Sequence, residues 1–202
     1  MPRPKIYDEN LRDQLISRAD LLLAEGGPDA LSVRALSTAE GTSTNAVYSL
    51  FGGKSGIVNA VVMRASASFH AAQSAAVRGL DVGADILALG LAYWNWALDN
   101  PTHYSVMFGG LLAGYELDPQ TELACATTIE PLAGVVRRGK RQKLWRRGTE
   151  EQITLSLWAS VHGLVGIAQA NPNGLSRSDW EKICRPHLHA IYRGWLAEDV
   201  AG

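Results

Sequence analysis

The side chains with the clearest chemical potential lie in a short polar stretch that begins at Thr44. Asn45 carries the donor and acceptor pair that matches the edge of an adenine base, and Thr44 and Ser49 can reach bases or phosphates. Tyr48 can donate a hydrogen bond to a phosphate oxygen. Hydrogen-bonded recognition of nucleic acid is therefore the chemistry that this stretch could perform.

Two cations flank the stretch. Arg34 is a candidate for bidentate contact with guanine, although a phosphate contact or a solvated charge would explain it equally well. Lys54 begins the next predicted helix, where unpaired N–H groups and the helix dipole favour an anion. We predict DNA contacts from six residues: Arg34, Thr44, Asn45, Tyr48, Ser49 and Lys54.

Two short helices must position these residues. The first follows a cap at Leu31-Ser32 and ends at Gly41, and the second follows Ser43 and ends at Gly52. On a helical wheel, the second helix places Ala46, Val47, Leu50 and Phe51 on one arc and Thr44, Asn45, Tyr48 and Ser49 on the other. Spacing alone would also allow Tyr48 to be a packing residue. The pattern predicts a helix-turn-helix with one packed face and one open face.

The remainder of the chain also has helical periodicity, and no segment shows the alternation expected of a strand. We therefore predict an all-α protein. A long helix starts at Lys54, and Pro119 begins a helix that runs to the basic stretch 137–147. The first predicted helix carries an apolar stripe from Leu11 to Leu23 and stops at Gly26-Gly27-Pro28, and the other predicted helices span 84–98, 103–108, 150–170 and 178–196.

Composition excludes several protein classes. The chain has 202 residues, with 19 Lys and Arg against 20 Asp and Glu, so any electrostatic attraction to nucleic acid must be local. Its two cysteines form no CxxC pair, and we find neither a signal peptide nor an uninterrupted apolar run of membrane-spanning length. These features predict a cytoplasmic protein that is not embedded in a membrane.

Catalytic motifs are missing from the sequence, which contains no HExxH, nucleophile elbow, P-loop or Rossmann glycine pattern. Cys184 and His187 could share a helix face, but no carboxylate completes a metal site beside them. We therefore expect no enzyme activity, no cofactor and no metal. The basic stretch 137–147 is better explained as a solvated connector than as a nucleic-acid patch, because acidic residues follow it and it lies at a helix C-terminus.

The sequence from Leu11 to about Val62 resembles the tetracycline-repressor (TetR) family of transcriptional regulators. The resemblance is carried by Leu31-Ser32-Val33-Arg34-Ala35-Leu36, then Gly41, then Tyr48-x-x-Phe51-Gly52-x-Lys54. It departs at Glu40 and Thr42, where the family usually has alanine and an apolar residue. Further along, Trp158-x3-His162-Gly163 is similar to a subgroup named for its Trp-His-Gly motif.

This resemblance implies a helix-turn-helix DNA-binding domain at residues 1–54 and an α-helical ligand-binding and dimerisation domain at 55–202. The partners expected are a pseudo-palindromic double-stranded operator, a small-molecule effector and a second copy of the chain. The function expected is that of a repressor. The alternative is a helical small-molecule or protein-binding module with weak DNA binding or an activating role.

Candidate residues in the second domain come from its aromatic and apolar patterns. Scarce charge suggests an apolar or aromatic effector, and the predicted pocket residues are Tyr93, Tyr104, Phe108, Trp158 and His162. The predicted helix at 150–170 is apolar nearly all round, which favours burial against a second subunit. Together with the stripe on the last helix, it supplies the predicted dimer residues Leu157, Val161, Leu164, Ile183, Leu188, Ile191 and Trp195.

Overall fold

The chain is helical, as its periodicity predicts. A computed structural model describes residues 9–79, 81–170 and 174–197, and the β-structure within these ranges is a single bridge between Trp145 and Leu196. The helices are α1 (Glu9–Ala30), α2 (Val33–Ala39), α3 (Thr44–Phe51), α4 (Lys54–Ala76), α5 (Val82–Asp99), α6 (Pro101–Met107), α7 (Pro119–Thr127), α8 (Glu130–Arg141), α9 (Glu150–Ala170) and α10 (Arg177–Trp195).

The first of two compact units contains the predicted helix-turn-helix. Its described residues are 9–67 together with 101–126, so it combines two separate stretches of chain. α1, α2, α3 and the first half of α4 enclose an apolar core, and Val106 and Leu112 from the second stretch join it. Burial of this apolar surface is the main stabilising contribution to the unit.

The second unit is a helical bundle whose described residues are 68–79, 81–100, 127–170 and 174–197. Within it α9 packs against α5, α8 and α10. Among the described helices, α9 alone combines the length and apolar character that a single membrane-crossing helix requires. Its packing against three neighbours is that of a bundle core helix, which needs the same composition.

The structure corrects one predicted helix. The segment from Pro119 to the basic stretch is not continuous, because it breaks into α7 and α8 at Thr128–Ile129. Pro131 explains the break, since proline has no N–H to donate to the carbonyl of Thr127 and its ring would clash with that carbonyl. Both residues of the break also line a cavity in the second unit.

Candidate functional site

Side-chain caps set the start of both helices in the helix-turn-helix. The Ser32 hydroxyl accepts a hydrogen bond from the Ala35 N–H at 3.0 Å, and the Ser43 hydroxyl accepts one from the Ala46 N–H at 3.1 Å. Each cap satisfies an N–H that has no partner within its helix. The caps therefore fix the first residue of α2 and of α3, as the sequence predicts.

The turn between α2 and α3 depends on Gly41, whose φ of 63° lies in the left-handed region that favours glycine. The Thr42 N–H then donates to the Ser37 carbonyl at 2.9 Å, which closes the turn. Glu40, at the end of α2, accepts a hydrogen bond from Arg18 Nε at 2.6 Å. The acidic residue that departs from the family pattern is thus paired with α1.

Burial along α3 confirms the two arcs of the helical wheel. Ala46 and Val47 are buried, and Leu50 and Phe51 are partly buried. Tyr48 is 54% exposed, so it is not a core residue. The open face of α3, meaning the side chains that remain exposed, consists of Thr44, Asn45, Tyr48 and Ser49.

The two predicted cations differ in their surroundings. Arg34 is exposed on α2. Lys54 is half-buried, and its ammonium donates to the Pro28 carbonyl at 3.0 Å and lies 5.3 Å from the centre of the Tyr115 ring. Lys54 therefore has intramolecular partners next to Gly27, where non-helical backbone (φ 64°) kinks α1, a role that sequence spacing could not reveal.

Two cations of the basic stretch, Arg137 and Arg138, form ion pairs within the protein. Arg137 bonds to Glu130 at 2.8 Å and to Glu150 at 3.1 Å. Arg138 bonds to Asp85, a buried carboxylate in α5. The prediction of a solvated connector is wrong for the first part of the stretch, because 137–141 belong to α8, and only 142–147 lie between α8 and α9.

A narrow cavity lies inside the second unit. Its volume is about 30 Å³, which is room for one or two water molecules. Two of the residues predicted for an effector pocket, Tyr93 and Trp158, line this cavity. Several other lining residues were not predicted from the sequence, among them Phe69, Gln73, Ile86, Leu89, Thr128 and Leu132. The sequence offered only a weak signal, a glutamine one helical turn after Phe69 in an alanine-rich helix.

His162 lies behind the cavity wall. Its Nδ1 is 2.9 Å from the Tyr93 hydroxyl, and its ring stacks on Trp158 with centroids 4.6 Å apart. Burial lowers the pKa of His162, because a charged imidazolium is poorly solvated there. The histidine is therefore a neutral support for two lining aromatics at pH 7.

Tyr104 and Phe108, the other two predicted pocket residues, do not line this cavity. They belong to the first unit, where their ring centroids are 5.4 Å apart. Pro101, which begins α6, starts the stretch that folds with the first unit. Aromatic composition alone could not indicate which unit would bury them.

Two family models together match most of the chain. The model for bacterial regulatory proteins of the tetR family matches residues 15–61, which include α2 and α3. The model for the tetracyclin repressor-like C-terminal domain matches residues 86–191, more than half of the chain. The chain belongs to the TetR family. TetR-family proteins are DNA-binding transcriptional regulators and not enzymes, so the chain is a DNA-binding regulator.

Solved structures show the same TetR fold at low sequence identity. A protein of unknown function from Rhodococcus sp. RHA1 superimposes with a TM-score of 0.78 at 22% identity, covering 97% of this chain and 100% of the other. The putative regulatory protein SCO4313 gives 0.77 at 22%, covering 95% and 98%. The TetR-family regulator PfmR from Thermus thermophilus gives 0.70 at 24%, covering 90% and 98%. No curated protein sequence matches the chain significantly.

TetR-family regulators are typically dimers, which makes the placement of the predicted interface residues informative. Leu157, Val161 and Leu188 are buried inside the protomer, where they line the cavity, so they are not on a surface that a partner could contact. This corrects the prediction for these three, since helix periodicity cannot distinguish a protomer core from a subunit interface. Ile183 is exposed, and the half-buried members are Leu164, Ile191 and Trp195.

Proposed function

We propose that the chain is a homodimeric repressor that binds a pseudo-palindromic operator and releases it when a small apolar effector enters the cavity. The open face of α3 carries this proposal. Four polar side chains stand there without burial, on a helix whose start and end are fixed by caps. A major groove accommodates one such helix, and its base edges match the donors and acceptors of Asn45 and Arg34.

Dimerisation would present two copies of α3 at once. α9 carries an exposed uncharged stripe of Leu155, Ala159, Gly163 and Ile167, and α10 carries Ile183, Ala190 and Gly194. Small residues in such stripes allow close approach of helices from a second copy. An isologous pair would place the two heads on half-sites about one helical turn of DNA, or a multiple of it, apart.

The protein would act in the cytoplasm, and the effector would control DNA binding through the second unit. The cavity is small in this structure, so a bound effector must displace the residues around it. Two of those residues, Thr128 and Ile129, form the break between α7 and α8. Coupling requires that the effector bind the DNA-competent and DNA-released states with different affinity.

A mobility-shift assay with fragments of the surrounding chromosome tests the DNA-binding part of this proposal. We expect a sequence-selective complex at physiological salt that persists with excess unrelated DNA. The test variant is Asn45→Ala, and its matched control is Asn95→Ala. Asn95 is also an exposed asparagine, but it lies on α5 in the second unit. If no fragment is retained selectively, the protein is instead a binding module with weak DNA affinity. A reporter gene distinguishes a repressor from an activator.

A further inference from the structure

The cavity in the second unit is uncharged. Most of its wall consists of aliphatic and aromatic side chains, including Phe69, Ile86, Leu89 and Leu132, and none of the described side chains that line it is charged. His162 behind the wall is neutral at pH 7, since burial lowers its pKa. An anion or cation would therefore lose its hydration without gaining an ionic partner.

Gln73 introduces one strong polar group into this apolar wall. Its side chain is 5% exposed, and its Nε2 donates to the Leu89 carbonyl at 3.3 Å. A carbonyl can only accept, so this bond fixes which end of the amide faces Leu89. The amide oxygen of Gln73 is then the end that remains to meet a molecule in the cavity.

Tyr93 is less suited than Gln73 to form a hydrogen bond with a ligand. Its hydroxyl lies 2.9 Å from His162 Nδ1, so that hydroxyl already has a partner. Its ring packs edge-on against Phe69, with centroids 5.0 Å apart. Tyr93 therefore contributes shape and apolar surface to the cavity, whereas Gln73 contributes an amide oxygen that can accept a hydrogen bond.

We infer that the cavity binds a small, uncharged aromatic molecule that carries one hydrogen-bond donor, such as a phenol, and that Gln73 Oε1 accepts from that donor. This inference rests on the proposed function of the cavity as the effector site. The ligand must be compact, because the volume of about 30 Å³ has to expand even for a single ring. Gln73 is the specificity-determining residue, since it distinguishes a phenol from a hydrocarbon of the same shape.

Three probes that share a methyl-substituted ring separate these contributions. They are p-cresol, which is neutral and has a donor, p-xylene, which is neutral without one, and p-toluate, which is an anion. Titration calorimetry on the intact protein without DNA measures their affinities. We expect p-cresol to bind about three- to tenfold more tightly than p-xylene. We expect p-toluate to bind at least about a hundredfold more weakly than p-cresol.

Variants assign the preference to the amide. Gln73→Leu should abolish the advantage of p-cresol over p-xylene and retain binding of p-xylene. Gln73→Met, which keeps the length of the side chain, serves if the leucine variant does not fold. Gln169→Leu is the control and should keep the preference, because Gln169 is a glutamine of the same unit whose Nε2 donates to the Ala97 carbonyl at 3.2 Å and which is not among the residues that line the cavity.

Several outcomes would overturn the inference. These are comparable affinity for p-toluate and p-cresol, an unchanged preference in both Gln73 variants, or no binding of any probe to the folded protein. A mobility-shift assay with p-cresol tests the proposed function separately from the ligand site. If p-cresol binds with the expected preference but does not release DNA, the ligand site stands and the repressor model fails.

Discussion

Arg18 Nε lies 2.6 Å from Glu40 Oε1, which ties the middle of α1 to the turn between α2 and α3. Because the Arg18 side chain is 40% exposed, solvent screens the pair and its contribution to stability is small. We expect Glu40→Ala to lower the free energy of unfolding by about 0.5 kcal/mol in urea titrations. A double-mutant cycle with Arg18→Ala should recover the coupling. A coupling of zero would mean that the contact does not stabilise the turn.

Lys54→Ala removes an ammonium that contacts the Pro28 carbonyl and that we propose also meets a phosphate. The variant should bind all operator sequences more weakly, and the slope of log affinity against log salt should become shallower by about one per head. Fluorescence anisotropy over a salt series measures this slope. Lys182→Ala is the control, because Lys182 is exposed on α10. If the slope is unchanged while stability falls, Lys54 acts only on the fold.

Asn45→Ala should change specificity as well as affinity. If Asn45 reads an adenine edge, its loss should cost about 1–3 kcal/mol on the best operator and relax the preference at one base pair. Affinities for a set of single-substitution operators reveal the relaxed position. An equal loss on every operator would exclude base reading by Asn45.

Leu155→Glu tests the proposed subunit contact. Leu155 is 57% exposed and begins the uncharged stripe on α9, so a charge there would be desolvated by a partner helix. We expect a monomer by sedimentation velocity and loss of operator binding. Leu123→Glu is a matched control, since Leu123 is 65% exposed on α7 in the other unit. The proposed surface is wrong if both variants remain dimeric.

Asp85 makes the stability of the second unit depend on pH. Burial by itself raises the pKa of Asp85, but hydrogen bonds from Arg138 and from the N–H groups of Arg78 and Gly79 outweigh it, and the net pKa is below its usual value. A lowered pKa stabilises the fold above the unfolded pKa of an aspartate, and this stability is lost as the pH falls through the folded pKa.

Asp85→Asn should therefore destabilise the protein by about 2–3 kcal/mol at pH 7, since Arg138 loses its ionic partner. The difference from the parent chain should shrink as the pH falls below about 4. Urea unfolding at a series of pH values measures both effects. A pH-independent difference would show that Asp85 acts through packing alone.

The sequence was most informative where a local rule decides the outcome. Ser43 and Gly52 cap α3, and apolar spacing assigns the packed arc, so these features could be predicted from a few neighbouring residues. The fate of Tyr104 and Leu157 depends on tertiary packing instead. Tyr104 lies in the stretch 101–126, which folds as part of the first unit, and Leu157 lines the protomer's own cavity. The Gln73 amide was missed because an isolated glutamine in a helix is usually solvated.

The unit that contains α2 and α3 is not encoded by one continuous stretch of chain. Val106 and Leu112 reach its core from the second stretch, which lies inside the region matched by the C-terminal family model. A chimeric regulator that takes only the N-terminal part of this chain would leave apolar surface uncovered. Recombination between relatives should therefore preserve both stretches together. The boundary at which the DNA-binding and effector-binding parts can be exchanged is not the end of the helix-turn-helix.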